Sequence, residues 1–573
     1  MKALQRISVL AILGLTLASL LSGCKGAAVS PTSAPASTTA PSATTAPAST
    51  TKTTSPSAPV TTTSAPVAAP TGPYGDLRVG LATFGSEARD PIRGTAGERA
   101  NFFAQMLDSL ITLDGANLVP GVAEKWELAP DGLSWILSVR KGIKFSNGDG
   151  LTADDVAFSL SRYASPNAFT VDLRNAIDRV QKVDDYTVRV YTKGPQPYFL
   201  SLISLYTPIM GLVQPKQYTE QGGQENYNER PIGSGPFKFV KRVPGDSVTY
   251  EAVTSHWRQV PAFKNLTLVF AAEETTRVAM LKTGVLDIID IGLDAGRDLE
   301  KSPGYKALGG IYAQNFMLVY GAYHPDAAAM PLSNIKVRQA LSLAIDRDDI
   351  RKNLFYGKAA PALPAFTVVE TAIDVDVPYW QDLAAKTYAR YDPQEAQRLL
   401  KDAGYSQGIT IKLWSFSMDA APYMPKIAEV VASYWGKIGV KVELVPTDWG
   451  SFQPLRQTPT ARGTVALMRV TGRPTAGNTL STYLDPKGNY VMLGRAFPDI
   501  EQLVPSAVRE PDAGKRKPIL AQIIKTVADA QVAIPIGGVP AMVGAGPKVD
   551  VDFPIYTLMS PPMYVDRVKH SKN

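Results

Sequence analysis

The chain has 573 residues and a formal net charge of +7, from 59 basic and 52 acidic side chains. One hydrophobic core rarely supports a chain of this length, so we expect two or three structural units. The basic excess is modest for the size and includes no long cluster of arginine or lysine, which argues against nucleic acid as a partner.

The start of the chain indicates a secretory leader that ends in a lipidation site. Lys2 and Arg6 supply the positive charge, and the apolar run 7–21 is too short for an ordinary membrane-spanning helix. It closes on Leu-Ser-Gly-Cys, which resembles the bacterial lipobox, where the cysteine receives a diacylglycerol and the preceding peptide is removed. We predict a signal peptide over 1–23 and lipidation of Cys24. Because this cysteine has no second one to pair with, we expect no disulfide and no zinc-thiolate site.

Residues 24–73 are predicted to form a tether. The stretch 27–72 consists almost entirely of Ala, Ser, Thr, Pro and Val, and such a composition cannot bury enough apolar surface to fold. A flexible coil of this length spans about 40 Å, and a polyproline II helix on the order of 140 Å. The folded part is therefore expected at the outer face of the cytoplasmic membrane, lipid-anchored, on its periplasmic or extracellular side.

From about residue 74 onward, short alternating runs typical of strands intermingle with helical stretches, which predicts an α/β or α+β class. Two helix starts carry capping signals. Thr152 with Asp155 predicts a capping box, and Asp392 is a predicted cap ahead of Pro393 and Glu395.

A third helix is predicted from an apolar stripe. The charged residues Arg338, Arg347 and Asp348 are expected to lie mostly off that stripe. The stripe residues, at helical spacing, are Val337, Ala340, Leu341, Ala344 and Ile345.

Six groups of segments resemble, in the same order, the oligopeptide/dipeptide/nickel branch of extracellular solute-binding proteins (family 5). The match runs across nearly the whole folded part. The segments are Val-Pro-Gly-Val-Ala-Glu-Lys-Trp-Glu at 119–127 with 130–135 and 139–145, then 147–148 with 151–156, Pro-Ile-Gly-Ser-Gly-Pro-Phe-Lys at 231–238, Ile-Lys-Val-Arg-Gln-Ala-Leu at 335–341 with 344–347, 391–393 with 403–405, and 438–440 before 448–449.

The resemblance implies a fold of the periplasmic-binding-protein type with three lobes and two crossing segments that act as a hinge. By analogy, lobe I comprises 74–107, 228–312 and 535–573, lobe II comprises 108–227, and lobe III comprises 313–534. The implied function is that of the substrate-binding lipoprotein of an ABC-type importer. Such a protein, expected as a monomer without a cofactor, encloses a small ligand between its lobes and delivers it to the permease and ATPase subunits.

Loops at strand ends supply the candidate ligand-binding residues. Phe84 and Arg89 follow the first predicted strand, where the loop borders the cleft in similar proteins. Arg89 could meet an anionic group, although a surface charge is the alternative. Trp414 and Phe416 end another predicted strand and could stack on a ligand, with ordinary packing within the lobe as the alternative.

The segment 469–474 departs from the family's pattern. Peptide-binding members commonly carry Gly-Trp, two residues and then an aspartate that binds the α-amine of a peptide. Here Val470 stands at the tryptophan and Arg473 at or beside the aspartate. An arginine cannot accept hydrogen bonds from an ammonium group but suits carboxylate, phosphate or sulfate. Arg473, with Arg469, therefore favours a peptide-like ligand that is anionic or amine-blocked, unless both arginines are structural.

The sequence contains parts of a catalytic motif, but the motif is incomplete. Ser333 and Lys336 fit Ser-x-x-Lys and 282–284 reads Lys-Thr-Gly, but their order is reversed relative to penicillin-binding enzymes and no Ser-Asp-Asn lies between them. The three histidines are scattered without metal-ligand spacing. We therefore expect no enzyme and no metal site. The alternatives are the same fold binding an oligosaccharide, a nickel chelate or haem, or a surface sensor lipoprotein without a dedicated importer.

Overall fold

A sheet of ten strands runs through most of the folded chain, and a second sheet of four strands has a hydrophobic core of its own. In the computed structural model the described residues are 72–114, 117–206, 209–322, 325–367, 374–417, 423–455, 458–471, 475–484, 498–551 and 565–572. All of them belong to one compact unit, Ala69–Asn573. The predicted signal peptide, Cys24 and the tether up to residue 71 lie outside the described residues.

The strands and helices alternate along the chain, as the sequence predicts. The strands are β1 (Asp76–Leu81), β2 (Ile111–Asp114), β3 (Asn117–Pro120), β4 (Ala123–Leu128), β5 (Ser134–Val139), β6 (Ile177–Asp184), β7 (Thr187–Thr192), β8 (Phe237–Val243), β9 (Ser247–Ala252), β10 (Asn265–Phe270), β11 (Ile288–Ile291), β12 (Lys306–Tyr320), β13 (Ile409–Ser417), β14 (Val440–Asp448), β15 (Val465–Thr471), β16 (Ala533–Ala545), β17 (Val549–Asp550) and β18 (Lys569–His570). The α-helices are α1 (Ala96–Glu98), α2 (Ala153–Tyr163), α3 (Asp172–Ala176), α4 (Phe199–Leu202), α5 (Lys216–Glu229), α6 (Glu274–Lys282), α7 (Leu293–Leu299), α8 (Ile335–Leu343), α9 (Arg347–Asp349), α10 (Val377–Lys386), α11 (Pro393–Asp402), α12 (Met424–Lys437), α13 (Trp449–Leu455), α14 (Ala476–Leu484), α15 (Pro498–Arg509) and α16 (Ala513–Asp529).

The ten-stranded sheet consists of two halves joined by two long strands. Its order is β14-β13-β15-β12-β16-β11-β1-β10-β9-β8. β1 is parallel to β10 and β11 in one half, and β13 is parallel to β14 and β15 in the other. β12 and β16 pair antiparallel with each other between the halves, and their register shifts between Gly309 and Ala313 and again between Phe316 and Met317. We call β12 and β16 the crossing strands.

The parallel strands of both halves end beside the same short stretch of the crossing strands. Ile291, the last residue of β11, pairs with Met542, and Thr471, the last residue of β15, pairs with Gln314. The carboxyl ends of the two parallel groups therefore face each other across the interrupted ladder. Ligands of open α/β sheets bind outside such carboxyl ends.

The four-stranded sheet, in the order β4-β5-β7-β6, is antiparallel throughout. Every second residue of β5 and β7 points inward, as in Leu137 and Val139 or Val188 and Val190, all of which are buried. Helix α2 covers this inner face with its own apolar side. Together they form the second hydrophobic core, whose residues belong mainly to the segment that we expected as lobe II.

The capping signals of two helices are confirmed. At the start of α2, the amide of Thr152 donates to the Asp155 carboxylate at 2.9 Å. At the start of α11, the amide of Glu395 donates to the Asp392 carboxylate at 3.0 Å. Each bond satisfies a backbone donor that a helix N-terminus leaves open. Among the described residues, no helix is both long enough and apolar enough to cross a membrane.

The expectation that Arg338 and Arg347 lie off the apolar stripe is wrong. Both side chains are buried, whereas Asp348 is exposed. The Arg347 guanidinium donates to the carbonyl oxygens of Pro535 at 2.7 Å and of Ser342 and Ala389 at 3.1 Å. Burial lowers the pKa of Arg347 to about 10, which still leaves the side chain charged at neutral pH. These arginines are internal cross-links between backbone segments.

Replacement of Arg347 by methionine should lower the free energy of unfolding by about 3 kcal/mol or more, because several buried carbonyl groups lose their donor. Urea unfolding followed by circular dichroism measures the change. Arg351→Met is the matched control, since that side chain is 35 % exposed and pairs with Asp348 at 3.2 Å on the surface. Equal losses for the two variants would contradict a cross-linking role for Arg347.

Candidate ligand-binding cleft

The loop after β1 is held by a buried carboxylate. Glu98 accepts hydrogen bonds from the Thr95 amide at 2.7 Å, the Ser86 hydroxyl at 2.8 Å and the Ala88 amide at 3.0 Å. Although burial acts in the opposite direction, these bonds lower the pKa of Glu98 below its ordinary value. We did not predict Glu98 as a site residue, but Thr-x-x-Glu at 95–98 is the signal of a capping box.

Within this loop, the two predicted site residues lie in different surroundings. The Phe84 ring is buried against the rings of Phe102 and Phe270, with centroids 5.1 Å and 5.6 Å away. The Arg89 side chain is 45 % exposed and forms an ion pair with Glu229. It lines a surface cavity of about 550 Å³. This placement matches the alternative that Arg89 is a surface charge.

Trp414 and Phe416 are buried residues of β13. The Trp414 indole N–H donates to the Thr464 hydroxyl at 3.1 Å, and Phe416 is fully buried. Both rings pack against Phe452 of α13, at centroid distances of 5.4 Å and 4.5 Å. Their burial matches the packing alternative, and stacking of either ring on a ligand stays a prediction.

Arg469 lies on β15 near the carboxyl end of that strand. It stands directly opposite Phe316 in the ladder with β12, and the ring of Phe316 contacts that of Tyr423 at 5.5 Å. Burial raises the pKa of Tyr423 to about 12, while the positive charge of Arg469 opposes the shift. The structure thus places Arg469 close enough to Tyr423 for its charge to act on the phenol. Arg473 lies outside the described residues.

A buried acceptor on β12 was not predicted from the sequence. Gln314 is 5 % exposed, and no hydrogen-bond partner for its side-chain oxygen occurs in the described part of the chain. It precedes Phe316 by two residues, so both side chains lie on the same face of the sheet. An unpaired buried acceptor is rare, and a bound molecule or an ordered water would satisfy it.

The histidine, serine and lysine residues considered above for metal binding or catalysis make structural contacts. The His256 ring nitrogen lies 3.2 Å from the Asp108 carboxylate, and the Trp257 indole N–H donates to the same oxygen at 2.8 Å. The hydroxyl of Ser333 donates to a backbone carbonyl, and Lys336 lies 4.0 Å from Asp402. Across the described ranges, no group of three metal-ligating side chains comes together.

Two sheet halves joined by crossing strands, with parallel-strand ends that face each other, define a fold of the periplasmic-binding-protein type. Comparison of the sequence with protein-family models supports the same fold type. The chain belongs to the bacterial extracellular solute-binding proteins, family 5, whose family model matches residues 117–490. The predicted fold class and family are confirmed.

Relatives with sequence similarity bind different ligands. The chain is 28% identical over 359 residues to the heme-binding protein A of Haemophilus influenzae, covering 59% of this chain and 63% of that protein. It is 28% identical over 358 residues to the dipeptide-binding protein of Escherichia coli K12, covering 58% of this chain and 64% of the relative. The aligned part thus spans less than two thirds of the length of either relative.

Among solved structures, the binding protein MoaA of A. tumefaciens R10, in complex with mannopinic acid, is similar to this chain with a TM-score of 0.67. The match covers 87% of this chain and 100% of that chain at 22% sequence identity. At this identity the likeness shows the fold.

The charge of Arg469 near Tyr423 gives a titration prediction. Arg469→Met should raise the pKa of Tyr423 further, because the cation that favours the phenolate is removed. Since the folded-state pKa exceeds the ordinary value of about 10, the Tyr423 contribution to stability is complete below pH ~10 and is lost as the pH rises through the folded value. Absorbance at about 295 nm, taken as the difference from Tyr423→Phe, follows the phenolate. Arg398→Met, at an exposed arginine paired with Glu395, should leave the titration unchanged.

Proposed function

We propose that this chain is the substrate-binding lipoprotein of an ABC-type importer, which captures a small ligand between its lobes and delivers it to the membrane permease. The observation that carries the proposal is the meeting of two parallel-strand groups, carboxyl end to carboxyl end, across the crossing strands. Membership in family 5 supports it. In this role the chain performs no catalysis and needs no cofactor.

The lobes expected from the sequence are part of this proposal. The second hydrophobic core and the four-stranded sheet support a separate lobe II over 108–227. β12 begins in the half of the sheet assigned to lobe I and ends in that of lobe III over 313–534. A ligand that touches both halves would favour the closed form by its differential affinity, and the importer would read the closed shape.

For the ligand, we propose a small peptide-like molecule that is anionic or amine-blocked. Three features support this class. Arg473 stands at or beside the position where peptide-binding members carry the aspartate for the α-amine, Arg469 lies near the carboxyl end of β15, and Gln314 offers a buried acceptor to an amide N–H. The similar structure with bound mannopinic acid shows that this fold accepts an acidic ligand. Haem is the second candidate, because a relative is a heme-binding protein.

A ligand panel tests the proposal. The full chain with Cys24→Ser is heated with unmodified di- to pentapeptides, with N-acetylated dipeptides and small dicarboxylates, and with haem, nickel chelates and oligosaccharides. The second set should raise the unfolding midpoint, since ligand at a hundredfold over Kd adds about 2.7 kcal/mol. Arg473→Ala should abolish that shift, and Arg398→Ala, at the exposed and ion-paired control position, should keep it.

The outcomes separate the ligand class from the function. If unmodified peptides give the shift and Arg473→Ala retains it, Arg473 does not hold an anion and the chain is a conventional peptide-binding subunit. If haem alone gives the shift, the second candidate is correct. If no member of the panel stabilises the chain, capture of a small ligand is contradicted.

Anchoring through Cys24 has a separate test. In bacteria that process lipoproteins, the wild-type chain should incorporate labelled fatty acid and sediment with membranes, and Cys24→Ser should do neither. Ser22→Ala is the control, because it alters a neighbouring residue of the leader without removing the thiol. A variant at Cys24 that still takes up label would contradict lipidation at this position.

A further inference from the structure

Tyr198 is buried without belonging to either hydrophobic core. It lies between β7 and α4, and the next residue, Phe199, is part of the second core. Its side chain is 6 % exposed. The hydroxyl donates to the Asp374 carboxylate at 2.9 Å, and the guanidinium carbon of Arg516 lies 5.1 Å from the ring centroid. The partners of this tyrosine therefore lie far along the chain, in the segment proposed as lobe III.

The Asp374 carboxylate is fixed independently of Tyr198. One oxygen accepts the amide of Ala476 at 2.8 Å, and the other accepts the amide of Gly477 at 3.1 Å. Both amides belong to the first turn of α14, where the helix dipole favours a negative charge. The acceptor for Tyr198 is thus held by the proposed lobe III itself, and the tyrosine adds a third hydrogen bond from the proposed lobe II.

The absence of a side chain at Gly477 leaves room for the Tyr198 hydroxyl. A Cβ atom added at this position would lie 2.2 Å from the Tyr198 hydroxyl oxygen and 2.8 Å from the ring carbon that bears it. No other residue type could hold the hydroxyl this close to the helix. We call Asp374 with Gly477 the socket.

Burial, with the neighbouring charge of Asp374, raises the pKa of Tyr198 far above its ordinary value. The hydroxyl therefore remains a donor at any physiological pH. A buried hydrogen bond to a charged acceptor is among the stronger kinds, because neither group can exchange its partner for water.

We propose that Tyr198 is a positioning residue for ligand capture: its hydroxyl, seated in the socket, joins lobe II to lobe III and sets the fraction of closed protein before any ligand arrives. This inference rests on the proposed function and its lobes. A protein that closes more often without ligand binds more tightly overall, because the apparent Kd is the intrinsic Kd divided by the competent fraction. The contact thus tunes affinity from a place that the ligand need not touch.

The direct test measures closure without ligand. The full chain with Cys24→Ser is free of cysteine, so two cysteines introduced at exposed Gln221 and Lys441 carry a pair of fluorescent labels, one on each side of the contact. Single-molecule energy transfer then reports the closed and open populations. Tyr198→Phe should lower the ratio of closed to open protein roughly tenfold. An unchanged ratio overturns the proposal.

Tyr163→Phe is the matched control. Tyr163 is buried as well but belongs to the second core, and its hydroxyl has no hydrogen-bond partner within the described ranges. Removal of that hydroxyl should leave the populations unchanged. If Tyr163→Phe opens the protein as much as Tyr198→Phe does, the effect is a general one of lobe II packing and the proposal fails.

A second variant changes the socket instead of the tyrosine. Gly477→Ala should open the protein because the added Cβ occupies the space of the tyrosine hydroxyl. Its unfolding midpoint should fall no further than that of Tyr198→Phe, since alanine is the better helix former. A purely structural role for the contact predicts a lower midpoint with unchanged closure. These measurements need no ligand, so a failed ligand panel would contradict the proposed function and leave this result standing.

Discussion

The antiparallel pairing of β12 with β16 is the connection on which the arrangement of the described fold depends. Each strand takes part in both halves of the large sheet, and the ladder between them is interrupted at Gly309 to Ala313 and again after Phe316. An interrupted ladder has fewer backbone bonds to resist bending than a regular one. Because the parallel strands of both halves end beside this stretch, any change in its curvature alters the distance between the loops that border the cleft.

A hinge is useful when the bodies on either side of it are stiff. Arg338 and Arg347 stiffen the segment that we propose as lobe III, since their guanidinium groups bind carbonyl oxygens from α8 and its surroundings and also those of Ala530 and Pro535. The last two acceptors lie at the entry to β16. Both arginines therefore tie the helical layer to the end of a crossing strand.

What could be predicted from the sequence was mostly local or contained in the family's order of motifs. The cap residues Thr152 and Asp392 each form a hydrogen bond with a residue three positions further along the chain, and such signals are complete within one turn of helix. The burial of Arg347 could not be predicted in this way, because the stripe rule counts apolar residues, whereas its acceptor at Pro535 is 188 residues distant. The contact of Tyr198 with Asp374 spans 176 residues and has no local signal.

Strand periodicity explains the limit for the aromatic site residues. It places Trp414 and Phe416 on the same face of β13, as in the structure. The pattern does not indicate whether that face borders a cleft or packs against another layer. The answer depends on α13, which supplies Phe452. Arg469 was selected in another way, from a departure from the family's motif, and its role as a ligand partner stays a prediction.

The central position of β16 also bears on how the chain acquires its structure. This strand comes late in the sequence, yet in the sheet it lies between β11 and β12, with neighbours that precede it by more than two hundred residues. Until β16 is in place, the two halves of the sheet each present an unpaired edge, which is the kind of surface on which strands of other chains aggregate. The order of assembly thus places the joining of the halves after nearly all of the chain is available, and a C-terminal truncation that removes β16 would leave two separate sheets rather than a shorter version of this one.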